Sequence, residues 1–423
     1  MKNHSREEIA TGVTLHTLHE DKFKTNLIKF YFRRPLTQDE VTYNALLPKI
    51  LQRGTEGFET SKKLSRELEY LYGAYLDGQV IKKGESQIID FSLGIADLRF
   101  VDDQRLLKDS VNLLNELIYK PYRIDGFFKK EYLQQEKANL EKKIKARVND
   151  KNRYAVERCI EEMCENENFR LYEYGKIDDL EGINQENLFR YYQQLITKSP
   201  LDIVVVGNID KEVIKKELLN QFRFERQDII EIPREEIMVK PKEVKFVRES
   251  MEINQGKLTM GFRTNISYDD PTYPALMVYV NLLGGGAHSK LFLKVREERS
   301  LCYYIYSRME KFKSIMLVSC GIEFTKYEET VEVIKQQLEE IKKGNITDEE
   351  LENTKKAMIN SVKEMGDNVN SIADFYYGQV ITNQYITPKE LIKSIEAVKK
   401  EDVAAVGEKI LLDTIYFLEN GQQ

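Results

Sequence analysis

The sequence predicts an α+β protein of two homologous domains, each a mixed, mostly antiparallel sheet covered by helices. Three observations carry that prediction: the length, the clustering of the strand-like runs, and an order of elements that occurs twice. A chain of 423 residues exceeds what one hydrophobic core usually serves, so two domains of about 200 residues each are expected. The strand-like runs lie next to one another between helical stretches, without strict strand–helix alternation. That favours mixed or antiparallel sheets over a doubly wound parallel sheet.

The first half opens its pattern with the apolar run Leu27–Phe32, followed by a polar turn over 35–40. An apolar helix is predicted over 43–51, closing at Gly54, then a charged helix over 61–71. Two further strand-like runs cover 74–81 and 87–93. The second half repeats this order: a strand over 257–262, a turn at Tyr268-Asp269-Asp270-Pro271, and a helix over 273–283 closed by Gly284-Gly285-Gly286. A short charged helix over 289–298 and strands over 301–308 and 314–320 follow. Each half then carries long charged helical stretches, about 125–149 and 348–365, and ends on a helix followed by a strand, at 203–207 and 414–418. The repeat period, about 210 to 230 residues, is far longer than that of any solenoid. Residues 223–243 hold Pro233, Pro241 and many alternating charges, a composition suited to an exposed linker. The expected domains are therefore 1–222 and 244–423. The charged helical faces read as solvated surfaces with i, i+4 ion pairs.

Composition removes several function classes. The chain is 41% hydrophobic and 10% aromatic, as ordinary globular domains are. Its charged fraction of 32% is mixed in sign and leaves a net charge of only -6, which argues against nucleic acid as a partner. Cys159, Cys164, Cys302 and Cys320 form no CxxC pair and read as buried free thiols of a reducing compartment. The first residues are polar, as no signal peptide is, and no apolar run approaches the ~20 residues of a membrane helix. A cytoplasmic location is expected.

The chemistry-bearing motifs are mostly conspicuous by absence. Two histidines at i, i+4 would place both imidazoles on one helix face for zinc, but His4, His16, His19 and His288 contain no such pair. His16 and His19 lie in a strand-like run, where residues three apart point to opposite faces. They read as surface or edge-strand residues. No phosphate-cradling glycine motif follows a strand, so nucleotide binding is not expected. Cys159 and Cys164, five apart, make no ligand pair.

Two stretches carry a resemblance. The run from Leu282 to Tyr303, LLGGGAHSKLFLKVREERSLCY, resembles the C-terminal-domain signature of M16 (pitrilysin/insulinase-like) peptidases. There a glycine-rich turn leads into a helix, and an Arg-Glu pair precedes a Leu-x-Tyr strand start. In the first half, Arg53-Gly54-Thr55 is similar to the turn that follows the family's HxxEH helix. Counting back, the histidine positions fall on Ala45 and Lys49 and the glutamate position on Pro48. The third zinc ligand falls on Lys143, or on Glu141 with a slip of register. Alanine offers no donor atom, ammonium groups repel a cation, and proline lacks the N–H a helix interior needs.

The resemblance covers essentially the whole chain. It implies two LuxS/MPP-like metallohydrolase-type domains arranged as a clamshell, of the half-length M16B type. It also implies the role of a non-catalytic subunit, like the alpha subunit of mitochondrial processing peptidase or bacterial paired members that lack HxxEH. Zinc is then expected only in an HxxEH-bearing partner, with none in this chain. Arg296 and Tyr303 would reach the partner's site and contact the backbone of an unfolded peptide substrate, with Gly284, Gly285, Gly286 and His288 helping to recognise it. A guanidinium fork suits peptide carbonyls, and a phenol can donate to a developing oxyanion. The alternatives are a catalytically dead structural or peptide-binding scaffold of the same fold, and a zinc hydrolase with a different ligand set. Whether the isolated chain forms a homodimer, and whether it is linked to peptide maturation or to elongation factor P modification, stays open.

Overall fold

A computed structural model describes residues 4–421. The chain separates into two compact units, neither continuous in sequence. The first runs up to Lys145 and adds Leu171–Pro233 and Asp367–Gly378. The second comprises Ala146–Arg170, Arg234–Gly366 and the chain from Gln379 onward. Each half of the sequence thus surrenders one helical segment to the unit built mainly by the other half.

In the first unit, strands β1 (His4–Ala10), β2 (Val13–His19), β3 (Thr25–Pro35), β4 (Tyr75–Lys83), β5 (Ser86–Ala96) and β6 (Leu201–Gly207) form one sheet. Their order is β1-β2-β6-β3-β5-β4. Only β2 and β6 run parallel; β3 pairs with β5 from Thr25↔Ala96 to Pro35↔Ser86. Alternation along β3 and β5 divides the faces. Ile28, Phe30, Phe32, Ile89, Phe91 and Leu93 join the apolar core with the helices Val41–Leu51 and Leu106–Tyr119. The opposite face is polar yet buried. There Lys29 donates to Asp90 and Asp374, and the ring of Tyr31 stacks on Tyr377 at 3.8 Å. Asp374 and Tyr377 come from the donated segment 367–378.

His16 departs from the expected surface position. Strand β2 lies inside the sheet, and the His16 side chain is fully enclosed. Its Nε2 lies 2.9 Å from Asp202 and its Nδ1 3.2 Å from the Tyr376 hydroxyl. His19 at the strand's end is exposed.

The second unit repeats the first sheet without its β1. Strands β7 (Lys245–Ser250), β8 (Gly256–Arg263), β9 (Cys302–Glu310), β10 (Ile315–Ile322) and β11 (Leu411–Glu419) take the order β9-β10-β8-β11-β7. The parallel pair, β11 with β7, falls where β6 and β2 stand in the first sheet. Leu258, Met260 and Phe262 meet the helix Tyr273–Gly284 in the core. The other face is covered by the donated helix Lys151–Met163, whose Cys159, Ile160 and Met163 pack on Ile315, Leu317 and Tyr416. Beside them Glu167 accepts from both Arg263 and Lys313. All four cysteines are free and buried.

The linker, expected to be exposed, is partly docked. Residues 223–243 form no helix or strand. Ile230 N–H nevertheless donates to the Lys198 carbonyl at 2.9 Å, and Arg226 is only 9% exposed. Further on, Arg234 forms a two-pronged pair with Asp269.

Candidate functional site

Sequence reasoning singled out Ala45, Pro48, Lys49 and Lys143, and the fold brings all four to one cavity of about 340 Å³ in the first unit. Three elements wall it. The helix Val41–Leu51 contributes Ala45, Leu46, Pro48 and Lys49; residues 45, 48 and 49 share one face by their i, i+3, i+4 spacing. The helix Lys130–Lys145 contributes Glu136, Asn139, Leu140 and Lys143, again one face. Strand β4, at the edge of the sheet, contributes Asp77, Gln79 and Val80, and Tyr174 completes the wall.

The first helix is apolar nearly all round, so burial holds it and it continues past Pro48 to Leu51. A proline there costs about 3 kcal/mol in an ordinary helix interior. The Gln52 amide closes the helix end, donating to Pro48 O at 2.8 Å and to Gly78 O of β4 at 2.9 Å.

The second helix turns Lys143, and not Glu141, toward the cavity. Lys143 faces the cavity and places its ammonium 3.7 Å from the centre of the Tyr174 ring. Glu141 does not line the cavity; it pairs along the helix with Lys145. The one carboxylate this helix turns inward, Glu136, is 8% exposed and held by Arg53. Lys49 lies 3.3 Å from Asp77.

These residues do not fit a zinc ion. Ala45 has no donor atom, Pro48 no side-chain oxygen, and Lys49 and Lys143 bring two positive charges. Glu136 is already matched by a guanidinium. Among the described residues, no group of three or more His, Cys, Asp or Glu side chains is gathered as a metal requires.

The second candidate set lies in the second unit. Gly284 ends the helix Tyr273–Gly284 at the point where it touches β9: a Cβ there would sit 2.4 Å from the Ser307 backbone nitrogen. The chain then turns through Gly285 and Gly286, with Ser289 N–H donating to Gly286 O at 3.0 Å. Where a short charged helix was expected, Phe292–Glu297 adopts a π-helical turn, a form often found at functional sites. Lys290 anchors it through a 2.7 Å bond to Glu350.

Arg296 sits on that π turn. Its guanidinium lies over the Phe292 ring at 4.7 Å, its side chain is 42% exposed, and its nearest carboxylate is Glu297 at 3.5 Å. Tyr303 follows the turn closed by Ser300 N–H to Arg296 O and Leu301 N–H to Val295 O. It occupies a bulge: β9 pairs Cys302 with Ile322 and Tyr304 with Gly321, leaving Tyr303 without an opposite residue. Bulges re-aim side chains, and Tyr303 is 62% exposed on an edge strand. His288 Nε2 is buried without a hydrogen-bond partner among the described residues, and burial holds its pKa below the ordinary value.

Sequence reasoning missed the Arg53–Glu136 pair, Asp77, Asn139 and Tyr174. Glu136 was legible as the first glutamate of its run; its partner is 83 residues away and could not be read locally.

A duplicated α+β unit, a cavity lined by Ala45, Pro48, Lys49 and Lys143, and a bulge-borne tyrosine after a glycine-rich turn together fit the M16-type fold that the resemblance implies. The comparisons agree. The model of the peptidase M16 inactive domain matches residues 182–358. A probable inactive metalloprotease of Bacillus subtilis, YmfF, is 39% identical over 411 residues, covering 96% of each chain. The chain belongs to the peptidase M16 family, as an inactive metalloprotease homologue. The crystal structure of a conserved protein from Enterococcus faecalis superposes with a TM-score of 0.92 at 28% identity, over 100% of this chain and 99% of that one. A peptidase M16 inactive domain structure from Pseudomonas fluorescens shares the fold, with a TM-score of 0.82 at 17% identity, over 99% and 98%. Among the described residues no helix is long and apolar enough to cross a membrane.

Proposed function

We propose that the chain is the non-catalytic, substrate-binding subunit of a heterodimeric M16 zinc peptidase acting on unfolded peptides in the cytoplasm. Its partner carries HxxEH and the zinc. This chain lends Arg296 and Tyr303 to the partner's site: the guanidinium holds peptide carbonyls, and the phenol donates to the oxyanion that forms on the scissile carbonyl. The loop Gly284 to His288 borders the peptide.

One observation supports this reading above others: the contrast between the two candidate sets. The positions that the resemblance assigns to zinc hold Ala45, Pro48, Lys49 and Lys143, while Tyr303 is raised on a bulge and 62% exposed. A scaffold has no physical need to display a phenol in this way.

The test mixes the purified chain with an HxxEH-bearing M16 chain from the same genome and follows cleavage of a quenched peptide. Tyr303→Phe, which removes one donor, should lower kcat by about 10²-fold, and Arg296→Ala should weaken kcat/KM. The reading fails if no such chain binds, or if both variants leave the joint activity intact.

A further inference from the structure

The linker carries a buried cation to which the first unit offers no counter-charge. Residues 223–230 run along that unit as a strap, with neither helix nor strand to hold them. Arg226 turns inward: it is 9% exposed, and its Nε, Nη1 and Nη2 are all buried without a well-aligned acceptor among the described residues. Its polar neighbour is the hydroxyl of Tyr119, at the end of the helix Leu106–Tyr119. That hydroxyl is also buried, and it is not aligned for a hydrogen bond. Burial pushes the Tyr119 phenol up to about 12, against the pull of Arg226, so it supplies no negative charge at neutral pH.

The acids of the strap face away. Glu225 and Asp228 are exposed, and Asp228 lies 3.9 Å from Lys198. Burial accordingly pulls the Arg226 guanidinium below its ordinary pKa, yet an arginine keeps its charge in a protein. A buried charge without a partner charge is among the most unfavourable features a fold can carry. A structural arginine of the usual kind is paired, or lays its stem on apolar surface and keeps its head in water.

What holds the strap down is modest. Gln227 N–H donates to Thr197 O at 3.3 Å and Ile230 N–H to Lys198 O at 2.9 Å. Phe224 packs on the core, edge-on to Tyr119 at 6.4 Å, and a Cβ on Gly12 would lie 2.7 Å from the Ile229 side chain. Segments held by few hydrogen bonds and few apolar contacts are the ones that open locally.

We propose that 223–230 is a strap poised to open, and that the unmatched charge of Arg226 lifts it. Opening returns the guanidinium to water and uncovers Phe224 and Tyr119, while the helix Lys211–Gln221 and strand β6 before it stay folded. An aromatic ring beside an arginine is the pair that binding hot spots favour, so the open strap displays a docking element that the closed strap hides. The proposal does not rest on the partner reading, and either can fail alone.

Hydrogen exchange of the full chain tests it, resolved to the Gln227 and Ile230 amides and read relative to strand β3 in the same sample, so that a general change in stability cancels. Arg226→Met keeps a long side chain without the charge; Arg226→Lys keeps the charge. In the parent the two strap amides should exchange well before β3. Arg226→Met should slow them by about tenfold or more, the scale on which apolar replacement of a buried ion stabilises. Arg226→Lys should leave them fast. Strap amides as slow as β3 in the parent, a rate unchanged by Arg226→Met, or equal slowing by both variants overturns the proposal.

Discussion

Lys29 donates to Asp90 across 3.3 Å on a sheet face closed to water, their side chains 4% and 1% exposed. Burial pushes the Asp90 carboxyl up, against the pull of Lys29, Gln79 and Ser92. Breaking such a pair leaves an uncompensated charge, which costs about 3–5 kcal/mol. Lys29→Met should therefore be strongly destabilising by urea titration. Adding Asp90→Leu should recover most of that loss, because two matched apolar groups avoid desolvation of either ion. A double variant no better than the single one would mean that Asp374, 3.4 Å from Lys29, is the controlling partner.

Ala45, Pro48, Lys49 and Lys143, which the resemblance assigns to metal-ligand positions, line one cavity. Ala45→His, Lys49→His and Lys143→Glu, with Pro48→Glu, should rebuild a three-ligand zinc site on two helix faces that already meet. Equilibrium dialysis should find about one tightly held zinc per chain of the variant and none in the parent. A folded variant that stays metal-free would show that the helices have drifted from ligand geometry.

Gly284 should not tolerate a side chain. The Cβ of Gly284→Ala would meet the Ser307 backbone at 2.4 Å, an overpacking expected to cost about 1–3 kcal/mol. Gly182→Ala, with nothing within 4 Å, is the control and should stay within about 0.5 kcal/mol. Equal melting temperatures for both variants would mean the helix can slide on β9.

Glu167 should make the second unit sensitive to acid. Burial alone would raise its pKa, but the hydrogen bonds from Arg263 and Lys313 outweigh it and hold the carboxyl below its usual range. A depressed folded-state value means stability is fully present above the unfolded value near pH 4.5 and is lost as pH falls through the folded one. Glu167→Gln should be less stable at pH 7 and lose less between pH 5 and about 3. Parallel pH profiles for variant and parent would remove Glu167 as the cause.

Much of this protein was legible locally. The duplication, the strands and helices over 27–93 and 257–320, and the signature at 282–303 follow from apolar period and turn residues, which act over a few positions; helices such as Leu106–Tyr119 and Val369–Thr382 were not predicted. That Ala45, Pro48 and Lys49 share one face was also readable, because a helix fixes which neighbours do. Whether Lys143 or Glu141 faces the cavity was not, since it depends on which face of Lys130–Lys145 turns toward the helix Val41–Leu51. Nor was the bulge at Tyr303, which exists only against β10.

What the sequence determined by itself, then, is two copies of one α+β unit with no HxxEH motif in either. Tertiary structure alone decided that 146–170 and 367–378 change units, that His16 is buried against Asp202 and Tyr376, and that Arg53 holds Glu136. The physical reason is sequence distance. A helix or strand records its own buried face, but not the identity of the surface that will cover it, and these partners lie 83 to 360 residues apart.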